Sequence, residues 1–566
     1  MNRNIESHFS QLPAAEIQRS TFDRSSSYKT SFNVGDLIPF YVDEVLPGDT
    51  FDITTAKVVR SQTMLTPVMD NIYLDTYYFF VPNRLVWKHW KEFCGENTQG
   101  AWAPTVEYTI PTIAPPEGGF ATGTIADYMG LPVGVSWDPS DDLAPSALPF
   151  RAYALICNEF FRDQNVSDPL LIPLDDANQS GVNTGNYVSD VANGGLPFKA
   201  AKYHDYFTSA LPAPQKGEAV GIPIDIDRIP VVAASTYANA LPESLYPMVL
   251  GMMPSVQAAT LDGDTYYLNS SNVSGVGVLK AGTNANLTAA SPSSNQANVY
   301  TPINLVADTT QSPVSVDVNE MRLAFAYQRY LEALARSGSR YTELLLGLFG
   351  VRSPDARLQR PEYLGGNRVP VNVNEVTNTA QSEQDFLGDL AAKSQTGDVN
   401  HDFVKSFTEH GYLIGVMVAR YDHSYSQGLQ KFWTRKTFTD FYNPKFAHLG
   451  EVPIYQAEIY ANGNFSKERI FGYQEIWADY RYRPNMVTGE MRPGVQNSLD
   501  FWHLADNYAE VPTLSDGWIR EDKTNVDRVL AVTSAVSNQF WADIYIQNKC
   551  TRCMPMYSVP GLIDHF

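Results

Sequence analysis

The chain has 566 residues, of which 18% are charged and 12% aromatic, and its formal net charge is −21 at pH 7. This charge excludes a protein that condenses nucleic acid through its bulk charge, so any contact with DNA or RNA has to be local or shared with a basic partner. The 32 tyrosines, 36 prolines and 37 glycines favour strands joined by long ordered loops over a helical enzyme or a disordered chain.

Cysteine content and hydropathy bear on the compartment in which the chain folds. Four cysteines are too few to staple 566 residues, which indicates a reducing environment. The N-terminus lacks the apolar region of a secretory signal, and no run approaches the roughly 18 apolar residues of a membrane span. We therefore expect folding in a cytoplasm, with no membrane span.

The N-terminal part of the chain divides into an arm and a strand-rich segment. Residues 1–36 are rich in Ser and Gln with widely spaced apolar anchors, which predicts an extended arm. Residues 37–210 open with two β-prone runs around a Pro-Gly-Asp turn, followed by an aromatic strand that ends at Pro82. A helical pattern at 148–165 presents a buried face. We expect this segment to form the first part of one β domain.

The second half of the chain begins with a change of composition. Residues 211–312 contain only three basic residues and are dominated by Ser, Thr, Asn, Ala and Gly, which predicts a surface insertion of loops and short strands. Residues 313–566 contain the clearest helix of the chain, at 318–337, a polar linker at 371–400 and further strand patterns. We expect them to complete the β domain.

The helix at 318–337 has recognisable ends and two distinct faces. Asp317 and Glu320 form an N-terminal capping pattern, and Ser337-Gly338 supplies the stop. Apolar residues recur along one face, which we expect to pack on a core: Leu323, Tyr327, Leu331 and Leu334.

An arginine stripe lies nearly opposite the apolar face of this helix. Arg322, Arg329 and Arg336 repeat every seven residues. The stripe is either a solvated face, partly neutralised by Glu332, or a specific interface. The positive bias continues beyond the helix, in a segment whose Gly, Pro and Tyr content predicts an irregular but ordered loop. That segment carries Arg340, Arg352, Arg357, Arg360 and Arg368.

Motifs with a fixed catalytic geometry are missing from the sequence, including G-x-S-x-G, H-E-x-x-H, the P-loop and G-x-G-x-x-G. Cys550 and Cys553 offer at most half of a zinc site, so we expect structural thiols. Asp422 and His423 are neighbours in a strand pattern and therefore point to opposite faces. We predict no catalytic, cofactor or metal site.

Five segments of the sequence carry a resemblance to a known family. They are LDTYYFFVPNRLVW (74–87), LPFRAYALICNEFF (148–161), RSGSRYTELLLGLFGVRSPDARLQRPEYLGG (336–366), SLDFWHLAD (498–506) and MPMYSVPGLIDHF (554–566). Together they resemble the major capsid protein of gokushoviruses, small single-stranded DNA phages of the Microviridae. The resemblance covers nearly the whole chain outside the 211–312 insertion.

The resemblance implies a fold and an assembly. The fold is an eight-stranded antiparallel jelly roll, mainly β, with long loop insertions and a few helices. Sixty copies form an icosahedral shell around circular single-stranded DNA, assembled in the cytoplasm of a bacterial host. A small basic internal protein helps to neutralise the genome. The insertion, which looks like the family's three-fold protrusion, is displayed outside for host attachment.

A function of another class competes with this interpretation. Tryptophans and abundant carboxylates also suit a jelly-roll carbohydrate-binding module or glycoside hydrolase, but nothing in the sequence marks the pair of carboxylates that a glycosidase needs across a cleft. In a capsid, most long-loop surface faces another subunit or the interior. The eight arginines are therefore expected at subunit contacts, with DNA contact as the weaker alternative.

Overall fold

The structure is a computed structural model of the chain. It describes residues 18–97, 106–218, 220, 231–233, 249–252, 276–278, 300–302, 305–307, 318–338, 340–379 and 387–557. The chain divides into two compact units, Met1–Gly217 with Leu331–Phe566 and Glu218–Tyr330. The predicted N-cap Asp317 lies outside the described residues.

Nine strands of the first unit build its two main sheets. They are β1 (Ser20–Asp23), β2 (Ser26–Phe32), β3 (Ile38–Val45), β4 (Thr50–Ser61), β5 (Ile72–Pro82), β6 (Glu362–Pro370), β7 (Thr396–Ser406), β8 (Gly411–Tyr421) and β9 (Phe540–Arg552). In the first sheet β1 and β2 pair with successive parts of β9, which is followed by β4 and β7. The second sheet has the order β6, β5, β8, β3, and all these pairs are antiparallel.

Apart from β1 to β2 and β5 to β6, each connection between consecutive strands of the two main sheets crosses from one sheet to the other. The chain passes from β2 in the first sheet to β3 in the second, returns to β4, and crosses again to β5. This alternation is the connectivity of a jelly roll, in which two antiparallel sheets close over one core. The predicted fold class, mainly β with antiparallel sheets and few helices, is confirmed. The number of strands depends on whether β1 and β2 are counted as one.

The core between the sheets follows from the period-2 pattern of the strands. In β9 the side chains of Phe540 and Ile544 are buried, whereas Trp541 and Tyr545 between and beside them are exposed. Residues from both sheets form one apolar cluster. Within the cluster, the ring of Tyr78 on β5 lies 5.5 Å from that of Phe403 on β7.

A helix covers the outer face of the second sheet. Helix α1 (Leu148–Ile156) has a proline in its first turn, where the missing amide costs nothing, and continues as a π-helical turn, Cys157–Phe161. It packs with Phe79, Val416 and Trp87 in a second apolar cluster. The helix predicted at 148–165 is therefore found, ending at 161.

Helix α2 (Val318–Ser337) has the predicted bounds, but its apolar face is only partly buried. Leu331 is buried, whereas Leu323 is 70% exposed and Tyr327 is 52% exposed. The expectation that the whole face packs on a core of this chain is wrong. An apolar stripe identifies a face that packs, and it does not say whether the partner is in the same chain.

The segment after α2 is more regular than expected. It contains helix α3 (Tyr341–Phe349) and strand β6 rather than an irregular loop. The Gly365-Gly366 pair misled the prediction, because glycine usually marks turns. Here a β-bulge lies between Tyr363 and Gly365, and a Cβ on Gly366 would lie 2.0 Å from the carbonyl oxygen of Thr76 on β5. Close backbone approach is the other use of a strand glycine.

Shorter strands and α-helices lie between these elements. In the first unit the short strands are Ile113–Ala114, Gln179–Ser180, Val373–Thr377, Leu390–Ser394, Ser424–Tyr425, Glu451–Tyr455, Ile470–Glu475 and Asn485–Met486. Its short α-helices are Asn83–Val86, Trp90–Phe93, Ile125–Tyr128, Gln456–Ile459, Ala478–Arg481, Asp516–Ile519 and Thr524–Asp527. In the second unit Val231–Ala233 pairs with Leu305–Ala307, and Val249–Met252 pairs with Val276–Val278 and Tyr300–Pro302.

Two segments predicted as an arm and a linker contribute strands. Within the predicted arm, β1 and β2 hydrogen-bond along β9. Within the predicted linker at 371–400, Val373–Thr377 pairs with Leu390–Ser394 as a hairpin. Polar composition at a sheet edge resembles that of a linker, because an edge strand meets water on one side.

Candidate functional site

Four of the eight predicted arginines converge on one groove of the first unit. The groove has a volume of about 990 Å³ and lies between the end of α1, the start of α3 and the second sheet. Its lining includes seven cationic side chains, namely Arg162, Lys202, Arg340, Arg352, Arg360, Arg368 and Arg420. Four carboxylates line it as well: Glu159, Asp163, Glu343 and Asp355.

A buried carboxylate on β5 holds two of these arginines. Asp75, whose side chain is 1% exposed, accepts hydrogen bonds from Nε of Arg368 at 2.7 Å and from Nη2 of Arg420 at 2.5 Å. The register explains the convergence, since Arg368 lies directly opposite Asp75 and Arg420 lies diagonally across from it on β8. The three strands thus place one anion between two cations.

Charge pairing controls the protonation of this carboxyl group. Burial by itself would raise the pKa of Asp75, but hydrogen bonds and charge from Arg368 and Arg420 outweigh it and hold the pKa below its usual range. The ring of Tyr203 lies 4.3 Å from each of the two guanidinium groups, and its hydroxyl donates to Asp75 at 2.9 Å. Asp75 and Tyr203 together fix both arginines, which marks them as structural side chains.

Arg340 joins α3 to the end of α1. Its Nη2 donates to the carbonyl oxygens of Asn158 at 2.7 Å and Arg162 at 2.9 Å, and its Nη1 lies 3.2 Å from Glu343. The final carbonyls of a helix have no partner within the helix, and a cationic side chain satisfies them. Arg340 therefore stabilises the packing of two helices.

Arg360 is also tied to its neighbours. Its Nε lies 3.0 Å from Asp355, its Nη1 donates to the hydroxyl of Thr342 at 3.0 Å, and its guanidinium lies 4.3 Å from the ring centroid of Phe160. A half-buried arginine with a carboxylate, a hydroxyl and an aromatic face around it is held in one orientation.

Two arginines of the same segment are placed differently. Arg352 lines the groove and Arg357 lies on the loop beyond it, and both are exposed. Exposed guanidinium groups keep their capacity for up to five hydrogen bonds to an incoming anion. Among the predicted arginines of the first unit, these two are the ones best placed to meet a partner.

The three arginines of the stripe on α2 belong to different units of the chain. Arg322 and Arg329 are exposed residues of the second unit. Arg336, in the first unit, forms an ion pair with Glu451, whose carboxylate is buried. Arg336 therefore makes an internal contact, whereas the first two members of the stripe are exposed.

Sequence reasoning missed three cations of the groove. Arg162, Lys202 and Arg420 come from the end of α1, from a loop and from β8, and no pattern along the chain links them. The only local signal was Arg420 itself, a charged residue between the buried Ala419 and Tyr421 of β8. Lys202 is itself paired with Asp506 at 3.5 Å.

Metal binding receives no support from the part of the chain that is described. Among those residues, no group of three or more His, Cys, Asp or Glu side chains is arranged to hold a metal ion. Cys550 is buried on β9 and Cys553 is half-buried, and both are free thiols. None of the described helices combines the length and the apolar character that a membrane crossing requires.

Comparison with known proteins identifies the family. The family model described as "Capsid protein (F protein)" matches residues 10–562. The chain belongs to this family of phage capsid proteins. It is 39% identical to the capsid protein VP1 of Chlamydia phage 1, over 99% of this chain and 98% of the relative. It is 38% identical to capsid protein VP1 of Spiroplasma virus 4, covering 98% and 97%.

A third relative agrees with the first two. The capsid protein VP1 of Bdellovibrio phage phiMH2K is 39% identical over 100% of this chain and 99% of the relative. The resemblance to the major capsid proteins of gokushoviruses is therefore confirmed. This capsid protein is a structural component of the virion, and it self-assembles into the shell.

Proposed function

We propose that sixty copies of this capsid protein close into a T=1 icosahedral shell around a circular single-stranded DNA genome. Assembly takes place in the cytoplasm of the bacterial host, and the protein performs no catalytic step. The 211–312 insertion is displayed outside and engages a receptor on the host surface. Membership of a capsid family leaves the alternative of a carbohydrate-binding module or glycoside hydrolase without support.

The observation that carries this proposal is the amount of apolar surface that one chain leaves uncovered. Residues 341–351 and 433–442 expose several large side chains. They are Tyr341, Leu346, Leu348, Phe349, Val351, Trp433, Phe438, Phe441 and Tyr442. Monomeric proteins rarely expose apolar side chains in such density, and interfaces are where aromatic side chains concentrate. We assign both segments to contacts with neighbouring copies.

The charge of the shell supports a further partner. A chain with a net charge of −21 cannot neutralise most of the phosphates of an enclosed genome. The cations have to come from elsewhere, and a small basic internal protein supplies them in this proposal. Local cations on the shell then position the strand without carrying most of the neutralisation.

The arginines divide by what they already contact. Arg340 and Arg360 are held by partners within the chain, so we assign them to the stability of the subunit. Arg352 and Arg357 are exposed, and we assign them to contacts with neighbouring subunits, with DNA as the weaker alternative. The exposed Arg322 and Arg329 receive the same assignment.

Paired substitutions at the exposed arginines test this division. R352A/R357A should leave the thermal midpoint of the unassembled chain unchanged and lower the yield of closed particles, because an intersubunit contact is lost. R352K/R357K, which keeps the charge, is the matched control and should retain more of the yield. A normal number of particles with less packaged DNA would indicate that the arginines contact the genome rather than a neighbouring subunit. Unchanged yield together with unchanged DNA content would refute both assignments.

A further inference from the structure

A second cavity of the first unit is smaller and differently lined. It has a volume of about 380 Å³ and lies where the loop after β8 meets the segment around Ala478–Arg481. Six aromatic rings line it: Tyr206, Phe207, Tyr425, Phe432, Tyr480 and Tyr482. Its size falls within the range of about 300–1,000 Å³ that encloses small ligands.

The floor of this aromatic pocket contains buried polar groups. Glu458, 6% exposed, accepts from the hydroxyl of Tyr206 at 3.0 Å and from the backbone amide of Tyr455 at 2.9 Å. Burial raises the pKa of Glu458, so its carboxyl group gains a tendency to carry a proton. Each carboxylate oxygen has two lone pairs, so Glu458 keeps the capacity to accept a hydrogen bond from a ligand.

One polar atom of a pocket residue lacks a hydrogen-bond partner. Ser426 is 5% exposed and lines the cavity, and among the described residues its hydroxyl has no hydrogen-bond partner. A buried hydroxyl without a partner is unfavourable. Ser426 lines the cavity, but its hydroxyl oxygen is covered, so the side chain has to rotate before a bound molecule can supply the missing hydrogen bond. Gly428 keeps the wall thin, since a Cβ there would lie 1.9 Å from the carbonyl oxygen of Glu458.

The walls and mouth combine aromatic faces with positive charge. The guanidinium of Arg435 lies 4.1 Å from the ring centroid of Tyr480 and forms an ion pair with Asp479. Phe432 and Tyr482 are both about half exposed. Four cations line the pocket against the two carboxylates Glu458 and Asp479; they are Lys431, Arg435, Arg483 and Arg492.

The cations nearest to solvent are the ones that can meet a ligand. Arg483 and Arg492 are exposed. Arg492 donates to the carbonyl of Ser426 and so holds its guanidinium beside the unpartnered hydroxyl. The chain has a net charge of −21, so a local excess of positive charge at the pocket favours an anionic ligand over a neutral one.

We propose that this pocket binds a single unstacked nucleotide, with its base against the exposed rings of Phe432 and Tyr482 and its phosphate near Arg483 and Arg492. Aromatic platforms flanked by cations are the general means of holding single-stranded nucleic acid, because every base has a face to stack and every nucleotide carries a phosphate. The hydroxyl of Ser426 and the carboxyl group of Glu458 then bond the edge of the base.

Two ligands could bring a base and a phosphate to this pocket: a free nucleotide, or one nucleotide of a single strand. The second ligand rests on the proposed function, since it requires the strand to be inside the shell. A neutral sugar would also stack on aromatic rings, but it gives the cations nothing to pair with.

Binding of labelled probes to the unassembled full-length chain tests the proposal. A fluorescent ten-residue oligothymidylate should bind, and an abasic oligonucleotide of equal length and charge should bind more weakly. Replacing both exposed groups in Y482A/R483A should weaken binding about tenfold. S426A should weaken it without lowering the thermal midpoint, because the hydroxyl has no partner in the free chain. The matched control Y545A/R60A, on the exposed face of the first sheet, should bind as the unmodified chain does.

The possible outcomes distinguish a free nucleotide from a strand as the ligand, and they distinguish nucleotide binding from shell assembly. Competition by thymidine monophosphate at a similar affinity assigns the pocket to free nucleotides, and preference for the oligonucleotide assigns it to a strand. Equal binding by the pocket variants and the control, or equal competition by glucose, overturns the inference. Electron microscopy of the same variants counts particles, so a failure of assembly is distinguished from a loss of nucleotide binding.

Discussion

Nδ1 of His423 lies 2.8 Å from a carboxylate oxygen of Asp506, although the two residues are 83 positions apart in the chain. The other ring nitrogen lies 3.0 Å from Glu521, and all three side chains are buried. Asp506 also meets Lys202 at 3.5 Å. Two cations and two anions thus form one buried network between the end of β8 and the C-terminal segment.

This network predicts a specific pH dependence. The charges of Glu521 and Asp506 raise the pKa of His423 from 6.5 to about 9, although burial opposes them. Because the folded pKa is the higher one, the stabilisation is complete below about pH 6.5 and is lost as the pH rises through 9. The shift corresponds to about 3 kcal/mol in the free energy of unfolding.

Urea unfolding of the unassembled chain between pH 6 and pH 10 measures the effect. H423Q should be less stable by several kcal/mol at pH 6, because Glu521 loses its cation, and its stability should change less between pH 6 and pH 10. H401Q, at an exposed histidine, should follow the unmodified profile. Parallel pH profiles for H423Q and the unmodified chain would show that His423 is not charged in the fold.

Loss of the Asp75 carboxylate should destabilise the second sheet. D75N leaves Arg420, whose side chain is 12% exposed, beside a neutral amide, and breaking a buried pair from one side costs about 3–5 kcal/mol. Chemical denaturation would measure this as a lower midpoint. The control D543N removes an exposed pair with Lys29 and should cost less than about 1 kcal/mol. Equal midpoints for the two variants would contradict the structural role of Asp75.

The contact of Gly366 with β5 predicts that this position tolerates no side chain. In G366A the new methyl group would lie 2.0 Å from a backbone oxygen of Thr76, so β6 has to move away from β5 at a cost of about 3 kcal/mol or more. G397A is the control, because a Cβ at Gly397 on β7 meets no atom within 4 Å. A soluble G366A chain with an unmodified denaturation midpoint would refute the close pairing.

Much of the fold was predictable because it is encoded locally. Strands β3, β4 and β5 follow from alternating apolar runs and a Pro-Gly-Asp turn, and α2 follows from its periodicity and its stop signal. Strand β6 was missed, since the reason for Gly366 is a carbonyl of another strand 290 positions away along the sequence. Long-range packing is what single-sequence patterns omit.

The site was less predictable for the same reason. The arginine-rich segment was recognised from the sequence. Which of its arginines already have an ion-pair partner depends on where the fold places four carboxylates: Asp75, Glu343, Asp355 and Glu451. The sequence placed His423 beside Asp422 and excluded a functional pair, whereas the partners of its ring are Asp506 and Glu521. Neither partner could be found from spacing.

The central claim is that this chain closes into a shell of sixty identical copies. Cryo-electron microscopy of the purified protein under assembly conditions, with the particle mass determined in parallel, tests it most directly. We predict particles of one diameter with icosahedral symmetry and a protein mass of about 3.8 MDa, sixty times the 63.0 kDa of one chain. A 63.0 kDa species that persists as a soluble monomer across these conditions would contradict the account.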